Sequence, residues 1–226
     1  MAALLTPEWQ EKVRGSYRPH SLDMISDVSY PDRHLKVDDY LDGFLHNVGG
    51  EMNALLVGVG KKSAQDKTCA IRHVELARKF AEYEKDFVVH VLDVDAAALE
   101  EARERGGLRT NCVQGDIVTA DLSGLGPFHY VECLNVFEHI GNGSDTDIDG
   151  QRLLAVANMA KNMNRGGLMV IDNIKNSQWA GLTAPDNDGT NMNVIVSEAA
   201  MKELDIGLEY RADVSRSRSY LFYRKQ

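Results

Sequence analysis

The stretch ALLVGVGKKSA, residues 54–64, is an apolar run that ends on two glycines and then turns basic. From this stretch onward the sequence alternates between strand patterns and helix patterns. FVVHVLDVD at 87–95 is typical of a buried strand, and AAALEEARERG at 96–106 is typical of a helix that ends at glycine. Strands that alternate with helices this regularly indicate a parallel sheet covered on both faces.

The rest of the chain repeats this alternation and changes it only near the end. Further strands are predicted at 108–117, 129–137 and 168–174, and helices at 63–85, 150–167 and 197–207. The last two runs, LEYRADV and RSYLFYRK, predict a hairpin. The predicted fold is therefore α/β: a doubly wound, mostly parallel sheet of seven strands with a closing antiparallel hairpin. Right-handed crossovers place the loop after each parallel strand at one edge, where ligands bind.

The composition suits one globular domain with a full core. The chain has 226 residues, of which 43% are hydrophobic and 26% are charged. We predict an N-terminal helical segment over 1–47 that covers the substrate as a lid, and a sheet domain over 48–226. Within the N-terminal segment, VDDYLDGFLHNV carries apolar residues at helical spacing.

The charge and the cysteines limit the partners and the location. A net charge of −9 repels phosphate backbones, so nucleic acid is not an expected partner. No apolar run reaches the ~18–20 residues of a membrane span, and the N-terminus lacks the basic region of a signal peptide. Cys69, Cys112 and Cys133 are far apart, which indicates reduced thiols in the cytoplasm. The sequence leaves the oligomeric state open, a homodimer included.

The two glycines after the first strand allow a tight turn and a close approach of the backbone to a ligand. A phosphate-binding loop of the form GxxxxGK[ST] does not fit, because Leu55 stands at its first glycine. A dinucleotide loop of the form GxGxxG fits Gly58 and Gly60 but meets Ser63 at its third glycine. A glycine turn without any ligand is the third interpretation.

The second strand ends in VLDVD and brings two carboxylates to the ligand edge. A carboxylate at this point can accept hydrogen bonds from both ribose hydroxyls of an adenosine. Asp95 directly precedes the helical stretch AAALEEAR, which predicts a helix N-cap. Asp93 is therefore the expected ribose ligand.

Three later motifs decide between these interpretations: QGDI at 114–117, FHYVECLNVFEHIG at 128–141 and NRGGLMVID at 164–172. In this order and spacing they resemble class I S-adenosylmethionine-dependent methyltransferases. That family has a GD after strand three, then FDxVxxxxVLEHI, then a helix that closes on PGG before strand five. The resemblance covers 50–226. It departs at the family's GxGxG loop, where Lys62 replaces the third glycine, and at Leu56, where the family usually has an acidic residue.

The resemblance implies a Rossmann-like methyltransferase fold and an S-adenosylmethionine cofactor, with S-adenosylhomocysteine as its product. It implies these cofactor-binding residues: Gly58, Val59 and Gly60 under the methionine part, Asp93 and Val94 at the ribose, Asp116 and Ile117 at the adenine, and Asn135 beneath the sulfonium. A sulfonium cofactor carries no phosphate, so its loop need not be a complete anion-binding nest.

Methyl transfer is an in-line displacement, to which an enzyme contributes mostly proximity and orientation. A hydroxyl acceptor also needs a base, for which His139 is the first candidate and Glu138 the second. The acceptor is expected to be a polar small molecule. Its expected contacts are Tyr17, His20, Asn173 and Trp179.

A metal site is the weaker interpretation of the fifth strand. Cation-dependent O-methyltransferases carry an Asp-Asn pair at this place, as Asp172 and Asn173 do here, and such oxygen ligands suit Mg²⁺. The acidic ligand that those enzymes keep after strand four has no clear counterpart in this sequence. We therefore expect no metal, with Mg²⁺ at this pair as the alternative.

The sequence supports three functions of different classes. The first is methyl transfer to a polar small molecule, with O-methylation expected and N-methylation as its variant. The second is a non-catalytic methyltransferase-like partner protein, which the altered positions Leu56 and Lys62 favour. The third is an NAD(P)-dependent oxidoreductase on a similar sheet, which leaves NVFEHI without an explanation.

Overall fold

The structure is a computed structural model of the chain. It describes residues 30–59, 72–134, 136, 140, 148–174, 198–215 and 218–226. Within these residues seven strands form one sheet: β1 (Glu51–Val57), β2 (Asp86–Asp93), β3 (Thr110–Gln114), β4 (Phe128–Cys133), β5 (Met163–Ile174), β6 (Ile206–Ser215) and β7 (Arg218–Lys225). The helices of the same residues are α1 (Tyr30–Asn47), α2 (Arg72–Glu82), α3 (Ala96–Gly106), α4 (Ile148–Lys161) and α5 (Glu198–Leu204), with a 3-10 turn at Gly107–Arg109.

The strands lie in the order β3-β2-β1-β4-β5-β7-β6 across the sheet. β1 to β5 run parallel to one another, and β7 is antiparallel to both β5 and β6. This arrangement confirms the predicted doubly wound sheet with its closing antiparallel hairpin. The strand order reverses between β1 and β4, so the connections that leave these two strands diverge and open a crevice at the carboxyl edge.

Helices cover the sheet on both faces, and each face has its own core. On the first face α1, α2 and α3 bury apolar side chains that include Leu41, Leu76, Phe80 and Leu99. On the second face α4 and α5 pack side chains that include Val156, Met159, Met201 and Leu204. The inner strands are buried on both sides, which explains why residues 54–57 of β1 are all apolar rather than alternating with polar residues.

The described part of the predicted N-terminal segment is α1, and it belongs to the core of the sheet. Its apolar side chains follow the predicted helical spacing, and Val37, Leu41 and Leu45 are fully buried. The boundary between 47 and 48 stays a prediction, as does the lid role of 1–47, of which residues 1–29 lie outside the described residues. No helix among the described residues is long and apolar enough to cross a membrane.

Local hydrogen bonding and backbone conformation determine where α3 begins and where α2 ends. α3 covers the predicted 96–106, and Asp95 caps it, because its Oδ1 accepts a hydrogen bond of 2.8 Å from the Ala97 N–H. The long helix predicted over 63–85 is described only from Arg72, and α2 ends at Glu82 rather than at Lys85. Glu84 adopts a left-handed φ of +53°, which a continuing helix does not allow.

The prediction that NRGG ends the fourth helix is wrong. α4 ends at Lys161, and the chain has already turned at Asn162, whose carbonyl accepts a 2.7 Å bond from the Phe128 N–H. The two glycines belong instead to the irregular start of β5. Gly166 has a φ of +76°, and a Cβ on Gly167 would lie 2.8 Å from the Asn164 carbonyl oxygen. Glycine is needed here because the strand start folds tightly against β4.

Among the described residues, three histidines lie buried or half-buried in the sheet and its helices with their rings hydrogen-bonded: His73 to the Ala102 carbonyl, His90 to the Asn111 amide, and His129 to both the Asn53 N–H and the Asn164 amide. Burial lowers the pKa of each below the ordinary value of 6.5. His129 accepts the Asn53 N–H through Nδ1, so this nitrogen carries no proton in the fold. The folded protein therefore holds all three rings neutral near pH 7.

We expect the free energy of unfolding to fall as the pH drops below about 6.5, because the unfolded chain then binds protons that the fold excludes. The expected loss between pH 7.5 and 5.5 is on the order of 1–2 kcal/mol. Urea denaturation at the two pH values measures it. His73→Leu removes one of the three groups, so its stability should depend less steeply on pH over this interval. An equal stability of the unmodified chain at both values would contradict the expectation.

Candidate functional site

The turn after β1 lies against the loop after β4, where the strand order reverses. Gly58 has a φ of +77°, and its N–H donates a 2.8 Å bond to the Leu92 carbonyl at the end of β2. A Cβ on Gly58 would overlap the Cγ2 of Val136. Only glycine fits both this backbone conformation and this contact. The backbone of this turn therefore comes close to its neighbour, as predicted, and position 58 requires glycine.

Asp93 joins the turn after β1 to the start of α3. Its Oδ2 accepts a 2.8 Å bond from the Val59 N–H, and its Oδ1 accepts a 2.8 Å bond from the Asp95 N–H. An ionised carboxylate has about four lone-pair sites, so these two bonds alone do not fill its acceptor capacity. The predicted ribose ligand thus also holds two neighbouring segments of the site in place.

The ends of β2 and β3 are tied together in a similar way. The Gln114 side chain donates a 3.2 Å bond to the Val94 carbonyl, and the Gly115 N–H donates a 3.0 Å bond to the Asp93 carbonyl. Sequence reasoning placed Val94 in the site but did not predict its partner Gln114. These bonds fix the backbone of β2 just beyond its last residue.

The loop after β3 is a tight turn built around Asp116. Its Oδ1 accepts a 3.0 Å bond from the Val118 N–H, and its carbonyl accepts bonds from the Thr119 and Ala120 N–H groups. Burial raises the pKa of the Asp116 carboxyl, and the Val118 hydrogen bond lowers it by less. Ile117 beside it is 4% exposed. This loop therefore presents a half-buried carboxyl and a shielded apolar side chain at the edge of the sheet.

Asn158 on α4 supports this loop, and sequence reasoning missed it. Its amide nitrogen donates bonds of 2.8 Å to the Ile117 carbonyl and 2.9 Å to the Ala120 carbonyl. The available signal is a polar residue on the side of α4 that otherwise carries Ala155 and Met159, both fully buried. Such a residue needs partners, and here they are the carbonyls of a loop about 40 residues earlier.

Replacing Asn158 with leucine, Asn158→Leu, is expected to lower the free energy of unfolding by about 1–2 kcal/mol, because two carbonyls lose their donor. Urea denaturation measures the change. Asn47 is the matched control, since its amide also donates to a backbone carbonyl, that of Gly43, but on the exposed surface of α1. Asn47→Leu should change the stability by less than about 0.5 kcal/mol, and equal effects of the two substitutions would refute the role of Asn158.

Comparisons with known proteins show which fold this chain resembles. The sequence matches no protein-family model and no curated protein. The structure resembles the N-methyltransferase NodS from Bradyrhizobium japonicum in complex with S-adenosyl-L-homocysteine, with a TM-score of 0.59, 15% identity and coverage of 96% of this chain and 97% of that one. The chain has the class I methyltransferase fold. The predicted resemblance is thereby confirmed at the level of the fold.

Two further structures share this methyltransferase fold. An S-adenosylmethionine-dependent methyltransferase from Clostridium acetobutylicum has a TM-score of 0.59 at 12% identity, over 95% of this chain and 98% of that one. A TehB-like methyltransferase from Corynebacterium glutamicum has a TM-score of 0.55 at 15% identity, over 96% and 99%. All three likenesses extend over nearly the whole length of both chains.

The methyltransferase fold brings six of the predicted cofactor residues to neighbouring strand ends: Gly58, Val59, Asp93, Val94, Asp116 and Ile117. The other predicted residues lie outside the described part of the chain: Gly60, Asn135, Glu138, His139, Tyr17, His20 and Trp179. The same holds for the side chain of Asn173, whose backbone is in β5. Their roles stay predictions.

Asp172 lies near the carboxyl end of β5 and is 2% exposed. It is paired in register with Tyr220 on β7, and both side chains are buried on the face that α1 covers. Among the described residues of this methyltransferase fold, no three His, Cys, Asp or Glu side chains lie close enough to hold a metal ion. The metal alternative at Asp172 and Asn173 stays a prediction.

Proposed function

We propose that this protein is an S-adenosylmethionine-dependent methyltransferase that acts on a polar small molecule. The observation that carries the proposal is the strand order β3-β2-β1-β4-β5-β7-β6, with β7 antiparallel between β5 and β6. This arrangement is shared over nearly the whole chain with proteins described as methyltransferases, one of them in complex with S-adenosyl-L-homocysteine. Fold alone does not define an activity, so the side chains at the carboxyl edge must also suit the cofactor.

The donor groups of S-adenosylmethionine match the acceptors at this edge. The cofactor offers two ribose hydroxyls, an exocyclic amine and a positive charge, and it has no phosphate. Asp93 at the end of β2 would accept from the ribose hydroxyls, and Asp116 after β3 would accept from the amine. The raised pKa of Asp116 reflects burial, which also makes a hydrogen bond to this group stronger than it would be in water.

The cofactor, when bound, supplies a methyl group on a sulfonium for in-line transfer. The residues of this chain bind, orient and exclude water around it. We propose that His139 takes the proton of a hydroxyl acceptor, with Glu138 as the second candidate. Asn135 lines the floor of the site in this proposal, and the turn at Gly58 lies beneath the methionine part.

The acceptor is proposed to be a polar small molecule held by Tyr17, His20, Asn173 and Trp179. The sequence of the loop 175–196 supports this, because it is rich in Asn, Asp, Ser and Thr and contains one aromatic residue. We favour a hydroxyl as the methylated group. A nitrogen acceptor is the variant, and the description of NodS as an N-methyltransferase supports it. A panel of hydroxyl and amine acceptors with isotope-labelled S-adenosylmethionine separates the two.

The experiment that tests the function is a thermal-shift and calorimetric titration with S-adenosylmethionine, S-adenosylhomocysteine and NAD in parallel. A ligand at about 100 times its dissociation constant stabilises the folded state by about 2.7 kcal/mol. For a chain of this length the shift in Tm is about 5–10 °C. Stabilisation by the two sulfur nucleotides alone is the expected result.

The other outcomes of this titration would support one of the two alternative functions. A shift with NAD alone would overturn the proposal in favour of an oxidoreductase. No shift with any of the three would favour a non-catalytic methyltransferase-like partner protein, for which Lys62 and Leu56 are the supporting residues. Glycine at position 62, Lys62→Gly, should strengthen cofactor binding if the loop binds it and change nothing otherwise.

A further inference from the structure

The guanidinium of Arg72 lies at the centre of a buried network of charged and polar groups. It forms a fork on Glu132, with 2.7 Å from Nε to Oε1 and 2.9 Å from Nη2 to Oε2. Arg72 is 4% exposed and Glu132 is fully buried. Burial lowers the pKa of Arg72, but the attraction and hydrogen bond of Glu132, together with the attraction of Tyr130 and Asp38, raise it by more, so the group stays charged.

Three further groups belong to the network, one of them Glu75 on α2, whose Oε2 lies 3.5 Å from Nη1 of Arg72. Asp38 on α1 accepts a 2.8 Å bond from Nη2 of Arg72, and the Tyr130 hydroxyl donates a 2.6 Å bond to Oε2 of Glu132. The network therefore joins α1, the first residue of α2 and the end of β4 at a single guanidinium. Glu132 is also paired in register with Leu56 on β1, two residues before Gly58.

A buried ion pair of this kind is weak support for stability by itself. Removing two charges from water is costly, and well-packed apolar side chains of similar volume are often as stable. What the fork of Arg72 does provide is geometry, because two parallel bonds to one carboxylate fix both the distance and the direction between α2 and β4.

The three joined elements flank the proposed site. α1 follows residues 1–29, α2 follows 60–71, and β4 precedes 134–140. In sequence, these three stretches contain part of the predicted site: Tyr17 and His20, Gly60, and Asn135, Glu138 and His139. In the connection that follows β4, Val136 contacts Gly58 in the turn after β1. A shift of β4 against α2 would therefore move the turn after β1 relative to Asp93.

We propose that Arg72 is a positioning residue for the S-adenosylmethionine site, acting through Glu132 and Asp38 rather than by touching the cofactor. This inference rests on the proposed function. The guanidinium fork sets the spacing between the turn after β1 and the end of β4, and the affinity for the cofactor depends on this spacing.

The test is calorimetric titration of S-adenosylhomocysteine into the full chain and its variants, at a temperature where circular dichroism shows each to be folded. Arg72→Met removes the fork, and we expect affinity to weaken about tenfold. Arg72→Lys keeps the charge but not the fork, and we expect an intermediate loss. Leu76→Ala is the matched control, because Leu76 is fully buried on the same helix, its apolar side chain forms none of the network's hydrogen bonds, and its truncation destabilises the fold.

Each outcome decides the inference. A dissociation constant for Leu76→Ala within twofold of the unmodified chain, beside a tenfold loss for Arg72→Met, supports positioning. Equal changes in both variants, or none in Arg72→Met, would overturn it. If Arg72→Met does not fold, Arg72→Lys decides, because lysine keeps a charge beside Glu132 and Asp38 but cannot form the fork.

For Arg72→Lys we expect about threefold weaker binding, and unchanged binding would overturn the inference. Failure of the unmodified chain to bind S-adenosylhomocysteine would refute the proposed function itself and this inference with it. Binding by the unmodified chain that is insensitive to the network would refute only the inference.

Discussion

Gly58→Ala is expected to lower the free energy of unfolding by about 3 kcal/mol. A left-handed φ costs an alanine about 1–2 kcal/mol, and the overlap of the new methyl group with Val136 adds about 1–3 kcal/mol of overpacking. Urea denaturation measures the loss. The proposed function adds a second readout, because the turn moves beneath the methionine part and S-adenosylhomocysteine binding should weaken together with stability.

The chain offers a matched control for this substitution. Gly43 lies in α1, and the space that an added methyl group would occupy has no neighbouring atom within 4 Å outside the helix's own backbone. Gly43→Ala should therefore be neutral or stabilising by up to about 1 kcal/mol. The double variant Gly58→Ala/Val136→Ala removes most of the overlap but not the strained φ, so it should recover part of the loss. A Gly58→Ala protein as stable as the unmodified chain would mean that the turn adapts freely.

Asp93→Asn is the second substitution with a large expected effect. The carboxylate accepts one backbone N–H on each oxygen, whereas an amide would turn its NH2 group toward one of these donors. We expect a loss of about 2 kcal/mol in the free energy of unfolding. With the proposed ribose contact also weakened, the affinity for S-adenosylhomocysteine should fall about 100-fold.

The neighbouring aspartate separates this role from a general charge effect. Asp95→Asn removes the same charge two residues away, but asparagine is as good an N-cap as aspartate, so stability should hardly change. Denaturation and calorimetry on the two variants give the comparison. Similar behaviour of Asp93→Asn and Asp95→Asn would show that Asp93 has no special place in the site.

The sequence predicted the class of fold because its signals were local. Apolar runs, the glycine stop of α3 at Gly106 and the Asp95 cap lie within single elements or at their ends, and the crossover rule then leaves few arrangements of parallel strands. The NRGG motif was misassigned because two glycines suit a helix end and an irregular strand start equally well. The deciding contact is with β4, about 35 residues earlier in the chain.

The difference between local and long-range signals also separates the site residues that the sequence identified from those that it did not. Gly58 and Asp93 end their strands and can be recognised from position and residue type. Asn158 and the Arg72 network act across 41 and 60 residues, and no spacing rule links them. A polar side chain on an apolar helix face indicates that a partner exists, but only the packed fold identifies it.

The position of β7 in the sheet has a consequence for how the protein folds during its synthesis. Among the described strands β6 pairs only with β7, and β7 fills the position between β6 and β5. During synthesis β6 therefore has no partner until residues 218–225 have left the ribosome, and β5 presents an open edge for the same period. The hairpin of β6 and β7 is local and forms readily, but its docking ends the exposure of an aggregation-prone edge. Shortening the chain by this one segment would remove two strands from the sheet rather than one.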